Sequence, residues 1–355
     1  MKLKILENFD KDFESYVQNH PLGNVHQSQM WGKLQTKLAS RGKFYAVKIM
    51  ENNKIVLTAL VIRQRLFYNY SFFYCMRGPL WDESRPDVFS YFLGMIKKTA
   101  EKEKAVFLRI DPYFLLPDSE KRYFFSTIET DFFFKLGFKH AHAQYQPPCC
   151  HILDISLPED EILKSMKEKG RYNIRLAARK GVKIHIDQSQ ESLDKFYELE
   201  KQTGQRDNFI IHERSYYEYL VLTLAETNHA FVFSASYQNK IIASAILVCY
   251  ANVGIYYYGA SSNEHRNLMA PYLIQWEMIK KSKQMGCKIY DFLCCSLDPA
   301  DKSDPLYGVT QFKRKFGGFM AHFGAYEYIY MPLLFKLLLI LKKLRKIIRK
   351  IGWNV

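Results

Sequence analysis

The chain of 355 residues carries 51 Lys and Arg against 36 Asp and Glu, a net charge of +15, and 15% of it is aromatic. That length predicts two domains with cores large enough to be stable alone, and so many Tyr and Phe favour strands and extended grooves over a helical bundle. Seven cysteines with no CxxC pair, and ten scattered histidines, speak against a disulfide scaffold or a metal site and fit a reducing cytoplasm.

Residues 1–10 lack the apolar run of a signal peptide. Residues 47–61 (VKIMENNKIVLTALV) read as two strands about an Asn53-Lys54 turn, and residues 233–247 (FSASYQNKIIASAIL) repeat the pattern about Asn239-Lys240. Ala59 and Ala245 occupy matching places. Each copy continues into an aromatic strand (71–80 and 254–262), an amphipathic helix (85–103 and 269–285) and a short strand (105–112 and 287–293). Each closes on a kindred phrase, FFFKLGFK at 132–139 and QFKRKFGG at 311–318. This order predicts an α/β (α+β) class with two tandem units and mixed sheets. His140 and His142 are expected on the solvent face of a strand.

Charge is focused in two places. Residues 164–183 hold eight basic residues against Glu168, and the tail from 333 holds seven more and no acid. Charge so concentrated predicts polyanionic partners, with a merely solvated basic helix the alternative for the first stretch, and Arg171, Arg175, Arg179 and Lys180 are the candidates for RNA phosphate contacts. The tail joins LLFKLLLIL to a basic amphipathic segment, with Leu341, Leu344, Ile347, Ile348 and Ile351 along one stripe. It is too short and charged to span a bilayer. It fits either a helix lying in the interface of an anionic inner leaflet or a C-terminal helix packed on the first domain.

The element order and the closing phrase resemble the N-acetyltransferase (GNAT) fold. In that fold a Gly-rich turn before the central helix holds the coenzyme A pyrophosphate. Neither DESRPD at 82–87 nor HRNLMAP at 265–271 contains a glycine, and Pro271 lacks a donor N–H. No cofactor is therefore expected.

A wider set of phrases covers nearly the whole chain: HQSQMWGKL at 26–34, MRGPLW at 76–81, LRIDPY at 108–113, GRYNIRLAARKGV at 170–182 and KQTGQRDNF at 201–209. YYYGASSNEHRNLMAPYLIQWEMI at 256–279, KIYDFLCC at 288–295, QFKRKFGG at 311–318 and GAYEYIYMPLL at 324–334 complete it. In order and spacing these resemble the FemABX peptidyltransferases, which add amino acids from aminoacyl-tRNA to peptidoglycan precursors. The resemblance implies two tandem GNAT-like domains without the long coiled-coil insertion some members carry. The first spans 1–150 and is completed by about 317–332, the second spans 151–316, and a basic helix occupies 333–355.

The same resemblance implies the site. Lys313, beside Phe312, falls where the family has a lysine that stabilises the transferring acyl group; a surface lysine is the alternative. Arg206 matches the arginine that clamps the precursor's diphosphate, against a local salt bridge to Asp207 or Glu213. Asp111 matches an aspartate once considered a general base, and equally caps a turn before Pro112. The second diphosphate lysine of the family falls at Gln35, so Lys33 or Lys37 would have to substitute. Tyr216, Tyr256 and Tyr258 would line the groove, with Tyr257 on the opposite face by strand alternation. The implied partners are an aminoacyl-tRNA, a peptidoglycan precursor (lipid II or UDP-MurNAc-pentapeptide) and, through the tail, the inner membrane surface of the cytoplasm; the chain would act as a monomer. The competing readings are a GNAT-fold enzyme with another acyl donor or acceptor, and a noncatalytic RNA- or membrane-binding protein.

Overall fold

The two repeated hairpins form in the same register. Arg41–Glu51 pairs with Lys54–Arg65, and Ala230–Tyr237 with Lys240–Tyr250, placing Val47 opposite Ala59 and Phe233 opposite Ala245. The turn residues Asn52 and Asn53 have φ of 47° and 61°, and Gln238 and Asn239 have 49° and 63°. Two consecutive left-handed residues make the two-residue turn whose twist matches that of the strands, and asparagine tolerates that conformation best after glycine. The computed structural model describes all residues except 7–9, 39–40, 114–115, 118–122, 125–127 and 351–355, and no side chains for 6, 116–117, 123–124, 128–130 and 345–350.

Each hairpin grows into a mixed sheet. The first runs Lys2–Leu6, Arg41–Glu51, Lys54–Arg65, Ser71–Cys75, Ala105–Ile110, Tyr326–Ile329 and Lys139–His140, with Leu80–Trp81 beside Lys54–Arg65. The second runs Lys183–Asp187, Ala230–Tyr237, Lys240–Tyr250, Val253–Ser261, Ile289–Cys294, Cys149–Asp154 and Phe319–His322. In each, a helix crosses over between the one parallel pair among the described residues: Pro86–Lys102 joins Ser71–Cys75 to Ala105–Ile110, and Ala270–Gln284 joins Val253–Ser261 to Ile289–Cys294. The helices Gln190–Asp207 and Arg214–Ala225 fill the stretch between 193 and 230, and no coiled coil intervenes.

The chain returns to its first sheet at the end. Tyr326–Ile329 lies between Ala105–Ile110 and Lys139–His140, antiparallel to both. The boundaries expected at 150 and 317 fall elsewhere, because Cys149–Asp154 pairs with Ile289–Cys294 on one side and Phe319–His322 on the other. Both strands thus belong to the second sheet, and the crossings lie at 141–148 and 323–325. One apolar core runs through the seam: Phe73, Leu108 and Phe133 of the first half and Phe196, Leu220 and Val248 of the second belong to it. A separate cluster on the other face of the second sheet holds Ile174, Trp276 and Phe316.

A buried ion pair pins the returning strand. Arg109 Nε donates to Glu327 Oε1 at 2.9 Å, and both side chains are essentially inaccessible. His142 Nδ1 approaches Glu327 Oε2 at 3.0 Å, so it faces this cluster and not solvent, whereas His140 is exposed. Its other ring nitrogen meets Lys342 Nζ at 2.9 Å on the C-terminal helix Pro332–Lys350. That helix also buries Phe335 and Leu338 against the first half, which is the packed alternative for the tail. Yet Leu333, Leu337, Ile340, Leu341 and Leu344 stay exposed. At 100° per residue they occupy the side opposite Phe335, Leu338 and Lys342. The helix has two apolar faces, and only one is covered.

Removing one member of a buried pair leaves the other uncompensated. Arg109→Met is expected to lower unfolding stability by about 3–5 kcal/mol, measured by urea denaturation. Adding Glu327→Leu should recover part of that loss; a double variant no more stable than the single one would show that Arg109 acts through packing.

Candidate active site

A cavity of about 700 Å³ opens where the parallel strands of the second sheet separate. Val253–Ser261 and Ile289–Cys294 pair only from Val253/Ile289 to Ile255/Asp291. Beyond that point Tyr256 to Ser261 line one wall, and Phe292, Leu293 and Cys294 the other. A β-bulge drives the separation. Ile246 pairs with Tyr258 and Leu247 with Tyr256, leaving Tyr257 as the extra residue. Strict alternation had placed Tyr257 on the opposite face, but the bulge breaks it, and all three tyrosines line the cavity. Tyr257 OH lies 2.9 Å from Nε2 of His26, whose burial holds it neutral by pushing its pKa down to about 3. Tyr256 folds back over Gly259, where any Cβ would collide with its hydroxyl. The first half contributes Trp31, Arg41, Met76, Tyr145, Gln146 and Pro147 to the rim.

Lys313 closes the floor. It ends the helix Tyr307–Lys313 and is 4% exposed, so it is no surface lysine. Its Nζ donates to the Cys294 carbonyl at 2.7 Å and sits 5.8 Å from the centre of the Tyr256 ring. Burial lowers its pKa, and Asp291 and the Cys150, Cys294 and Cys295 thiols act against that shift. Phe312 also lines the cavity and packs edge-on against Tyr272 at 4.9 Å. Arg206 lies on the wall with most of its guanidinium engaged. Nε and Nη2 bind both oxygens of Asp207 at 2.9 and 2.8 Å, and Nη1 donates to Ser261 O at 3.0 Å and Asn263 Oδ1 at 3.1 Å. The local partner is Asp207, not Glu213. Arg41 and Arg266 are further basic residues on the lining.

The FemAB family model matches residues 9–238 and 223–343. The chain belongs to the FemAB family. A lipid II:glycine glycyltransferase of Staphylococcus epidermidis is 25% identical over 90% of this chain and 91% of its own. One from Staphylococcus aureus is 24% identical over 93% of each. The crystal structure of FemX superposes with a TM-score of 0.84 at 23% identity, covering 94% of this chain and 99% of that one. A tandem GNAT protein from the clavulanic acid biosynthesis pathway gives 0.54 at 10% identity, over 92% and 98%. These structures share the tandem GNAT-like fold.

Of the residues that the FemAB resemblance implied, Lys313, Phe312, Arg206, Tyr216, Tyr256 and Tyr258 meet at one cavity. Asp111 does not line it. Its carboxylate accepts from Tyr74 OH at 2.5 Å and from the Arg77 backbone N–H at 2.7 Å, tying together the strand ends of the first sheet. With both oxygens engaged and the residue buried away from the cavity, it braces the strand ends. Lys33 is exposed on the helix Gln29–Thr36, and Lys37 donates to Thr223 Oγ1 at 3.2 Å across the seam; neither lines the cavity. Arg171 turns back onto the Lys164 and Met166 carbonyls, while Arg175, Arg179 and Lys180 are exposed on or just after the helix Glu168–Arg179. Sequence reasoning missed Tyr257, Arg41 and Glu200. The bulge left no mark in the pattern, and nothing in the sequence distinguishes Glu200 from the other acids of its helix.

Gln35 faces the interior. It is fully buried, and among the described residues neither its amide oxygen nor its nitrogen has a partner. A lysine there would bury an unpaired ammonium instead of reaching a phosphate. The expected order of stability, by urea denaturation, is Gln35→Leu at or above the parent and Gln35→Lys clearly below it. A Gln35→Lys protein as stable as the parent would mean that the position opens to solvent.

Proposed function

We propose that the chain transfers an amino acid from aminoacyl-tRNA to the side-chain amine of a peptidoglycan stem peptide. The observation that carries this reading is the buried ammonium of Lys313 on the floor of a tyrosine-lined cavity. Family membership supports it, as do relatives named lipid II:glycine glycyltransferases. The amine nitrogen attacks the ester carbonyl, the carbon–oxygen bond to the ribose breaks, and the proton lost by the amine is balanced by one gained at the ribose oxygen. No redox step or energy source is needed, because the ester is already activated. Negative charge develops on the carbonyl oxygen, and a desolvated ammonium stabilises it far more than an exposed one would.

The two halves of the substrate pair have distinct approaches. The basic helix Glu168–Arg179 abuts the turn after Lys313: Lys167 N–H donates to Lys315 O at 3.1 Å, and Gly170 packs so close to that carbonyl that a side chain would clash. A tRNA acceptor stem laid on Arg175, Arg179 and Lys180 would thereby be directed to Lys313, through phosphate contacts that read no sequence. The diphosphate of the precursor would meet Arg206, helped by Arg41 and Arg266 in place of the absent lysine. Lys313→Met should reduce single-turnover transfer about 10²–10³-fold with little change in substrate affinity, and Lys313→Arg should recover only part of it. Transfer at the parental rate by Lys313→Met would leave the oxyanion group elsewhere.

The uncovered face of the C-terminal helix favours a lipid-linked acceptor. Five exposed Leu and Ile side chains flanked by Lys336 and Lys343 form an amphipathic surface suited to an anionic interface. Among the described residues no helix is long and apolar enough to cross a membrane. Truncation before Lys336 would strip Leu338 and Lys342 from the fold, so substitution is the cleaner test. Leu337→Glu with Leu341→Glu should abolish sedimentation with phosphatidylglycerol vesicles while leaving the melting temperature unchanged. Undiminished sedimentation would exclude this face as the contact.

A further inference from the structure

The cavity holds a second buried charge site that the chemistry at Lys313 does not use. Glu200 lies on the helix Gln190–Asp207, is 3% exposed and lines the cavity. Tyr217 OH orients it by donating to Oε1 at 3.3 Å, and Oε2 has no partner among the described residues. A carboxyl desolvated to this degree and bonded once is costly to keep in a fold, and such groups are normally fully paired. The apolar neighbours Leu199 and Phe196 on the same helix show that the position could have been filled without a charge.

We propose that Glu200 is the recognition site for a primary ammonium group entering this cavity. The unpartnered Oε2 is an acceptor with no competing protein donor, and Tyr217 fixes the plane of the carboxyl. The ionisable groups lining the cavity are Tyr216 and Tyr217 on the helix Arg214–Ala225, His212 before it, Tyr256, Tyr257 and Tyr258 on Val253–Ser261, and Arg206 and Asp207 nearly two turns along the helix of Glu200; Arg41, Tyr145, Arg266, Cys294 and Lys313 complete the set. The adjoining strand Lys240–Tyr250 presents only Ala243, Ser244 and Ala245. Arg206 is paired with Asp207 and Lys313 with the Cys294 carbonyl, and among the described residues no cation of the lining, Arg41 and Arg266 included, bonds Oε2 of Glu200. Tyr256 neighbours both charged sites: its ring lies beside Lys313, and burial, with the Glu200 carboxylate adding to it, raises its pKa. The cavity therefore offers an ammonium for a carbonyl oxygen and, separately, a carboxylate for an amine.

Burial pushes the Glu200 pKa up to about 7, with the Tyr217 hydroxyl working weakly against it. Without a ligand the group is mostly neutral below pH 7. An ammonium seated on it favours the ionised form, so binding releases a proton at pH 6–7 and strengthens as pH rises through 7. Two amines of the proposed reaction share this chemistry, the side-chain amine of the acceptor and the α-amine of the donor. Their identity rests on the proposed function; the ammonium site itself does not.

The experiment compares the parent with Glu200→Gln, which keeps the shape and removes a carboxyl whose ionisation opposes folding. Thermal melting is first followed in millimolar 1,5-diaminopentane against 1-pentanol, at pH 6 and pH 8. The parent should be stabilised by the diamine alone and more strongly at pH 8, and Glu200→Gln should respond to neither compound. Titration calorimetry then assigns the source. One arm uses UDP-MurNAc-pentapeptide with lysine third, free or Nε-acetylated; the other uses 3′-deoxy-3′-glycylamino-adenosine, free or N-acetylated. The parent should prefer the free amine about 10- to 100-fold in one arm, the range of one hydrogen bond to a charged group. It should also release a proton on binding at pH 6.5, and Glu200→Gln should lose both the preference and the proton. If neither the precursor nor the glycyl compound binds the parent while the diamine effect persists, the proposed function fails and the ammonium site stands. A diamine response equal to that of pentanol, or an amine preference retained by Glu200→Gln, would overturn the site.

Discussion

The candidate active site depends on where two parallel strands stop pairing. In the second sheet the ladder between Val253–Ser261 and Ile289–Cys294 ends after Ile255 and Asp291, and the Tyr257 bulge turns the first strand away. The backbone groups and side chains freed by that divergence become the cavity walls. The first sheet has the same parallel pair in Ser71–Cys75 and Ala105–Ile110, but its ladder continues to Cys75 and Ile110. Asp111 then ties the ends shut by accepting from Tyr74 and the Arg77 N–H. One copy of the repeat is braced and the other is open. The motif that pointed to Asp111 as a base marks the closed fork.

The two halves communicate through charge as well as through the shared apolar core. Arg77 is buried at the seam, where its guanidinium lies 4.1 Å from the centre of the Phe323 ring and donates to Pro147 O at 3.1 Å. Tyr113 of the first half donates to Asp291 Oδ2 at 2.9 Å, and Asp291 in turn opposes the desolvation of Lys313. Burial alone would favour a neutral amine at Lys313. The Asp291 carboxylate counters this; burial raises its own pKa, and the Leu293 N–H, Arg77, Tyr113 and Lys313 work against that rise. The first half thus acts on the floor of the cavity through the seam, although its own fork is closed.

Much of this was legible in the chain. The hairpin repeat and the crossover helices follow from local patterns that the structure keeps, because turn chemistry and apolar periodicity act over a few residues; the return to the first sheet was implied by the family resemblance alone. The cavity residues Lys313, Phe312 and Arg206 came from family phrases, not from periodicity. What failed was long-range or irregular. Alternation cannot foresee a bulge, so Tyr257 was put on the wrong face. Helix spacing could not show that Gln35 turns inward while Lys37 reaches Thr223 of the other half. Glu200 could not be singled out among the acids of its helix, since its meaning comes from Tyr217, seventeen positions later, and from the strand packed against both.

The ion cluster that secures the returning strand also orients the tail. Arg109 and Glu327 hold Tyr326–Ile329 in the first sheet, His142 joins them, and Lys342 bonds the far side of that imidazole. Lys342 shares a helical face with Phe335 and Leu338, so anchoring it fixes the rotation of the whole helix. The opposite face, with Leu337, Ile340, Leu341 and Leu344, is thereby forced outward. A helix held only by greasy contacts could roll to bury either stripe, since both are apolar. The exposed link from Lys342 to His142 adds to the packing of Phe335 and Leu338 in favouring one stripe, while the Arg109–Glu327 pair beneath it is buried. The outward stripe is therefore a consequence of how the first domain is completed by its own C-terminal strand.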